Sequence, residues 1–380
     1  MRANEINELR LDFIDNLRSF SVALVVLLHA VITYSHVGSW YFADPKTPGA
    51  VEVLVFSIFE AHCQAFFMGL LFFLAGYFTP GAYDRKAAGR FLKDRFLRLG
   101  LPSLVYIFLI QPLILHGLMH YGHGGYVEYY RDYLALGRFL SGSGPMWFAI
   151  ALLFFSAIYV GWRRMGGTLP VFVRIKSPGW GMVFAAGLIT GMATFAVRLV
   201  QPVGTSVLNM QLCFFPQYLV MFALGIIAFR NDWLMSLCCR RVIPWTLSLV
   251  FLSVVVLGIL GWVGGLAKAG LEPFAGGWKW PSLGYAVWEQ VFGFLFSGLL
   301  LVLFRDYFNV TNRVLQVARD SSFGVYFLHS VVVIAIGQGL VSVEWPVFVK
   351  APLLGGLSIL VTTLLVYFVG RRIPVVKKLL

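Results

Sequence analysis

Charge is what this chain has least of. Only 12% of its 380 residues are Asp, Glu, Lys or Arg, against about a quarter in a soluble domain. That scarcity excludes a water-soluble globule, whose surface could not be covered with so few polar groups. Cysteine is also sparse. Cys63, Cys213, Cys238 and Cys239 have no metal-like spacing and lie in or beside apolar runs, so neither a disulfide framework nor a cysteine metal site is expected. No internal repeat is visible. The longest polar connections, near 116–144 and 263–281, are too short to bury a core of their own, so a single integral-membrane domain over 1–380 is expected, with no added soluble domain.

What the chain does have is hydrophobic sequence, 59% of it, with a mean hydropathy of +0.80. A span needs about 20 apolar residues, and it must be helical because lipid offers no partner to backbone N–H and C=O groups. Ten such runs are legible: Leu17–Ser35, Val51–Phe78, Phe96–Leu115, Met146–Trp162, Gly181–Val200, Leu212–Phe229, Val242–Trp262, Leu283–Phe304, Ser321–Val341 and Pro352–Gly370. The expected class is therefore all-α, a polytopic membrane protein. The first run lacks a small-residue cleavage site and reads as an uncleaved anchor.

The net charge of +13 is unevenly distributed. With the N-terminus inside, 23 of the 30 basic residues fall in cytoplasmic segments, among them Arg2, Arg10 and Arg18, the run from Arg85 to Arg98, Arg163 to Lys176, and Arg371 to Lys378. The positive-inside rule then predicts both termini in the cytoplasm. The basic balance reports topology, and no nucleic-acid partner is expected.

Within the first span, Arg18 and His29 stand eleven residues apart. On a helix that is about 16 Å of rise and about 1100° of rotation, within roughly 20° of three full turns. The two side chains share one stripe, with Asp15 one turn before Arg18. Arg18 can reach water at the edge of the membrane, while His29 sits at or past mid-depth. One reading makes Arg18 a topology anchor paired with Asp15 and His29 a hydrogen-bonded link between helices. The other gives the arginine a phosphate to grip and the histidine proton chemistry at the far end of a long ligand. Ionisable residues inside spans are functional candidates by default.

Four blocks beyond this stripe carry further pattern. "FFMGLLFFLAGYFTP" (Phe66 to Pro80) is aromatic-rich and ends in Gly-Tyr, "YDRKAAGRFLKDRFLRLGLP" (Tyr83 to Pro102) is a basic loop entering a span, and "GPMWFAIALLFF" and "SSFGVYFLHS" follow in that order. Together with Asp15-Asn16-Leu17-Arg18 and His29 after ten residues, the sequence resembles the acyltransferase-3 family of bacterial integral-membrane O-acyltransferases over nearly its whole length. Ala75 departs from the serine usual before Gly-Tyr, so this chain offers no side-chain hydroxyl at that position.

The resemblance implies that an acyl group, acetyl or another short acyl, is moved from acyl-coenzyme A at the cytoplasmic side of the bacterial inner membrane to a hydroxyl of a glycan, lipid-linked sugar or other acceptor. Acyl-coenzyme A would be a co-substrate, with no tightly bound cofactor. Its polyanionic head would sit among Asp15, Arg18, Lys93, Arg95 and Arg98, since arginine suits phosphate. His29 would be base or nucleophile. Tyr77, Trp147, Tyr326 and His329 would line the site. A transporter of a lipid-linked or small substrate is the alternative, although no inverted repeat or paired broken span supports it.

Several polar residues remain open. Glu60, costly in an apolar run, is a candidate to orient His29 or touch the acceptor. His62, two residues on, cannot share its face and is either site-lining or structural. His116, His120 and His123 lack an acidic partner, and no metal is expected. Trp278, Trp280, Trp288 and Tyr285 are expected in an aromatic belt at a membrane boundary. The sequence leaves oligomeric state unread.

Overall fold

A computed structural model describes residues 11–167 and 175–370. Among the described residues ten helices are long and apolar enough to cross a membrane: α1 (Asp12–Ser35), α2 (Ala50–Asp84), α3 (Ala88–Leu118), α4 (Gly144–Arg164), α5 (Trp180–Arg198), α6 (Leu212–Arg230), α7 (Val242–Val263), α8 (Trp280–Tyr307), α9 (Arg313–Gly339) and α10 (Val347–Val369). Among the described residues there is no β-strand, only an isolated bridge between Val207 and Met210. The protein is an all-α, multi-pass membrane protein, as its composition predicts. Arg2, Arg10, Arg174, Arg371, Arg372, Lys377 and Lys378, counted above for topology, lie outside the described residues.

Most helices run beyond the expected spans. Helix α1 begins at Asp12, five residues early, so Asp15-Asn16-Leu17-Arg18 is helical. Helix α2 extends over 35 residues, about 52 Å, against a hydrocarbon core of about 30 Å. Hydropathy sees only the part that must be apolar. The helix continues where charged side chains are welcome.

Helix α2 forms the centre of the bundle, packed against α1, α6 and α8, and α1 in turn packs against α9 and α10. Gly76 on α2 and Gly225 on α6 permit this. A methyl group at Gly76 would overlap the Phe222 carbonyl, and one at Gly225 the Phe73 carbonyl. Phe66, Phe72, Phe155, Tyr218 and Phe222 fill the core between these helices.

Helix α3 is irregular for an identifiable reason. It contains π-helical turns at Phe96–Gly100, Tyr106–Ile110 and Leu113–Leu118, flanking Pro102 and Pro112. Proline donates no N–H and crowds the carbonyl four residues earlier, and widened turns absorb the misfit. The carbonyl that Pro112 leaves unbonded, that of Phe108, accepts the Tyr130 hydroxyl at 3.1 Å. Next to it the Ile107 carbonyl accepts the Tyr133 hydroxyl at 2.9 Å. Both tyrosines belong to the helix Tyr126–Ala135, which covers this end of α3.

Candidate functional site

The first helix carries its two marked residues to opposite ends of the bundle. At the end where α1 starts, Arg18 pairs with Asp15 at 3.0 Å and keeps 42% of its side chain exposed. Helix α2 finishes and α3 begins at the same end. There Arg95 donates to the Thr79 hydroxyl at 3.3 Å and lies 5.2 Å over the Phe91 ring, while Lys93 and Arg98 are exposed. The four cations named from the sequence thus share one end of the molecule, three facing solvent and one half-buried.

At the other end His29 is half-buried and meets a partner that local sequence could not identify. Its Nδ1 lies 3.2 Å from Nε2 of His329, 300 residues away on α9. His329 is fully buried, and its own Nδ1 lies 2.7 Å from the Tyr326 carbonyl. A carbonyl only accepts, so Nδ1 of His329 carries the hydrogen and its Nε2 is a bare acceptor. Nδ1 of His29 must then donate to it. The hydrogen-bond pattern assigns both tautomers and leaves Nε2 of His29 with a lone pair that His329 does not use. A neutral imidazole held in this way has the capacity to accept a proton.

Sequence blocks that looked separate meet here. The Tyr326 hydroxyl donates to the Pro145 carbonyl, joining "YFLH" on α9 to "GPMW" at the head of α4. Asn209 secures the same turn through the Gly144 carbonyl at 2.9 Å and the Ser143 hydroxyl at 3.0 Å. From α9, Ser330 hydrogen-bonds the Tyr106 hydroxyl at 2.7 Å, and Tyr106 reaches Tyr41 at 3.2 Å. Burial and the neighbouring Tyr106 hydroxyl hold the Tyr41 phenol well above its ordinary pKa, so it stays protonated and donates to Gln111.

Tyr41 belongs to the loop between α1 and α2, which folds back over the site. Its Trp40 stacks on His29 with ring centroids 3.9 Å apart and planes 24° from parallel. Asp44 anchors the loop. Its carboxylate takes Lys350 of α10 at 2.9 Å with both side chains 3% exposed, and its N–H donates to the Thr33 carbonyl at 2.8 Å.

Other named residues fall elsewhere. Glu60 is buried and accepts the Ser35 hydroxyl at 2.5 Å, holding the last turn of α1 to α2; the partner found on His29 is His329. His62 spends both nitrogens, Nδ1 against the Ile58 carbonyl of its own helix at 2.7 Å and Nε2 against the Ser253 hydroxyl of α7 at 2.8 Å. Tyr77 lies edge-on to Phe78 and Phe229 in the core. Trp147 stacks on Tyr218. Trp288 is a correction: it is buried, stacked between Tyr285 and Phe292, with its N–H on the Ser253 carbonyl, whereas Trp278 and Trp280 are exposed as a belt requires. Its ring follows α8 inward, past the boundary where Trp280 sits. His116 stacks on Tyr129, and among the described residues no three His, Cys, Asp or Glu could hold a metal.

The sequence reading passed over Trp40, the Asp44–Lys350 pair, and a second buried pair, Arg198 of α5 with Glu289 of α8 at 2.7 Å, both fully enclosed. Glu289 was discoverable. It is a carboxylate in an apolar run, as Glu60 is, and the same rule applies to it.

No curated protein and no solved structure gives a significant match to the chain. A family model described as an acyltransferase domain matches residues 11–371, from the first turn of α1 to just past the end of α10. That match decides against the transporter alternative: the chain is a multi-pass membrane acyltransferase and belongs to the acyltransferase-3 family.

Proposed function

We propose that the protein transfers a short acyl group from acyl-coenzyme A to a hydroxyl of a glycan, lipid-linked sugar or other acceptor, with His29 as the base. The unused Nε2 lone pair of His29, its tautomer set by His329, is the observation that carries this reading. The acceptor hydroxyl gives its proton to Nε2 as its oxygen attacks the thioester carbonyl. The carbon–sulfur bond then breaks, and the departing thiolate takes that proton from His29 to leave as coenzyme A thiol. Proton in and proton out balance on one nitrogen.

Positive-inside charge supports an orientation in which the Arg18 end faces the cytoplasm. An even number of spans returns the C-terminus to that side, and the membrane would be the bacterial cytoplasmic membrane. The residues there suit a polyanionic donor head. Arg18, Arg95 and Arg98 each offer planar donors to phosphate, and Arg18 retains exposed surface beyond its contact with Asp15. The thin arm would enter along α1 toward His29, about 16 Å deeper.

The test is thiol release from acetyl-coenzyme A by membranes containing the protein. His29→Ala is expected to lower the rate by about 10²–10⁴-fold while the purified variant melts at the parent's temperature. Turnover near the parent's would sink the assignment.

A further inference from the structure

Trp40 is held more tightly than a loop residue at the bilayer edge requires. Its neighbour Tyr41 is tied to Gln111 and Tyr106. The Phe42 ring lies against Gly337 of α9. Asp44 fixes the rest of the loop through Lys350, the Thr33 carbonyl, and its own carbonyl, which His36 Nε2 meets at 2.8 Å. These contacts press the indole flat onto His29 and nearly parallel to His329, 10° between planes at 6.2 Å. Yet the indole Nε1–H, shielded from solvent, has no hydrogen-bond partner among the described residues. Buried tryptophan N–H groups usually find one, and an unmade bond at a buried donor is costly.

We infer that Trp40 contacts the substrate, its Nε1–H donating to the acyl carbonyl oxygen as that oxygen becomes negative. The inference rests on the proposed role of His29. The chemistry selects this oxygen over the acceptor's. Tryptophan only donates, and a donor placed on the attacking hydroxyl would tie up the lone pair that attacks. The thioester carbonyl gains electrons in the step, which is where a fixed donor is most effective. As the acceptor oxygen bonds to the carbonyl carbon, its proton passes to His29 and the carbonyl π pair moves onto oxygen, facing the indole N–H. When the carbonyl reforms, the carbon–sulfur bond breaks and the thiolate recovers the proton from His29. The indole keeps its hydrogen throughout. The stack adds a second effect: in the same step His29 becomes an imidazolium against the face of the indole, a favourable cation–π contact.

Benzothienylalanine at position 40, introduced by stop-codon suppression, keeps the bicyclic ring and replaces only the N–H by sulfur. With acetyl-coenzyme A as donor, in membrane vesicles from the expressing cells, kcat for thiol release is expected to fall about 10²–10³-fold, with KM for acetyl-coenzyme A within about twofold of the parent's. Trp40→Phe, which keeps a stacked ring, is expected to fall at least as far and serves if the first variant melts early. A folded variant of either kind whose kcat stays within about twofold of the parent's overturns the role of Trp40. His29→Ala run alongside separates the two claims. If it is inactive while the Trp40 variants are fully active, only the tryptophan assignment fails. If parent and His29→Ala release thiol equally, the role of His29 fails and takes this inference with it.

Discussion

Two buried polar centres occupy the same end of this bundle, and they are built on opposite plans. Arg198 and Glu289 are charged, fully enclosed and matched to one another at 2.7 Å. The faces of Phe214 and Tyr285, 5.5 and 5.2 Å from the guanidinium, cover what the carboxylate does not. His29 and His329 form a neutral pair in a directional chain that ends in an unused lone pair, and His29 is only half-buried. The first arrangement sets charge against counter-charge through one contact and fastens α5 to α8, while Nε and Nη1 of Arg198 and Oε1 of Glu289 make no hydrogen bond among the described residues. The second withholds one acceptor for something else. An ionisable side chain inside a span is thus a candidate for function, and what separates the two centres is whether it is locked to a buried counter-charge.

The largest test of that contrast falls on the ion pair. Glu289→Ala leaves Arg198 buried without its counter-charge, and breaking such a pair costs about 3–5 kcal/mol. The variant should lose much of its yield and melt well below the parent in detergent. Exchanging both residues together, Arg198→Met with Glu289→Met, should recover most of that loss, because a well-packed apolar replacement of a buried pair is often neutral. If Glu289→Ala melts like the parent, the pair is not a structural fastening and the contrast fails.

A smaller effect is expected at His329. His329→Phe keeps a ring in the space but removes the acceptor that orients Nδ1 of His29. Transfer should drop on the order of 10²-fold, the scale of a small misplacement at a reacting group, with melting little changed. An unchanged kcat would mean that His329 does not set the tautomer His29 uses. The smallest effects belong to the exposed end. Arg95→Gln and Arg98→Gln should each raise KM for acetyl-coenzyme A about threefold to tenfold, roughly 1 kcal/mol, and leave kcat alone, since each removes binding common to ground and transition states. A loss confined to kcat would place these arginines in the chemistry instead.

Much of the bundle is legible from order and spacing alone. Ten apolar runs became ten helices because lipid leaves the backbone no other way to pair its polar groups. Their ends were misjudged, as at Asp12 and Asp84, because a helix outlasts the apolar stretch that reveals it. Arg18 and His29 were found together because both lie on one unbroken helix, where separation and facing follow from a rise of about 1.5 Å and a turn of about 100° per residue. Trp288 was misplaced because composition says that tryptophan favours an interface and nothing about how far α8 carries this one inward.

The sequence by itself therefore determined what is local: helical spans, the uneven placement of basic charge, and the distance from Arg18 to His29. Tertiary structure alone decided what completes the site. His329 stands 300 residues from His29, and Lys350 stands 306 from Asp44. Trp40 is only eleven residues from His29, yet it reaches that ring because the chain reverses after Ser35 and Asp44 is pulled down onto Lys350. No helical period relates such residues. Their meeting depends on which helices become neighbours, and that is set by packing across the whole bundle, down to the glycines that let α2 and α6 touch.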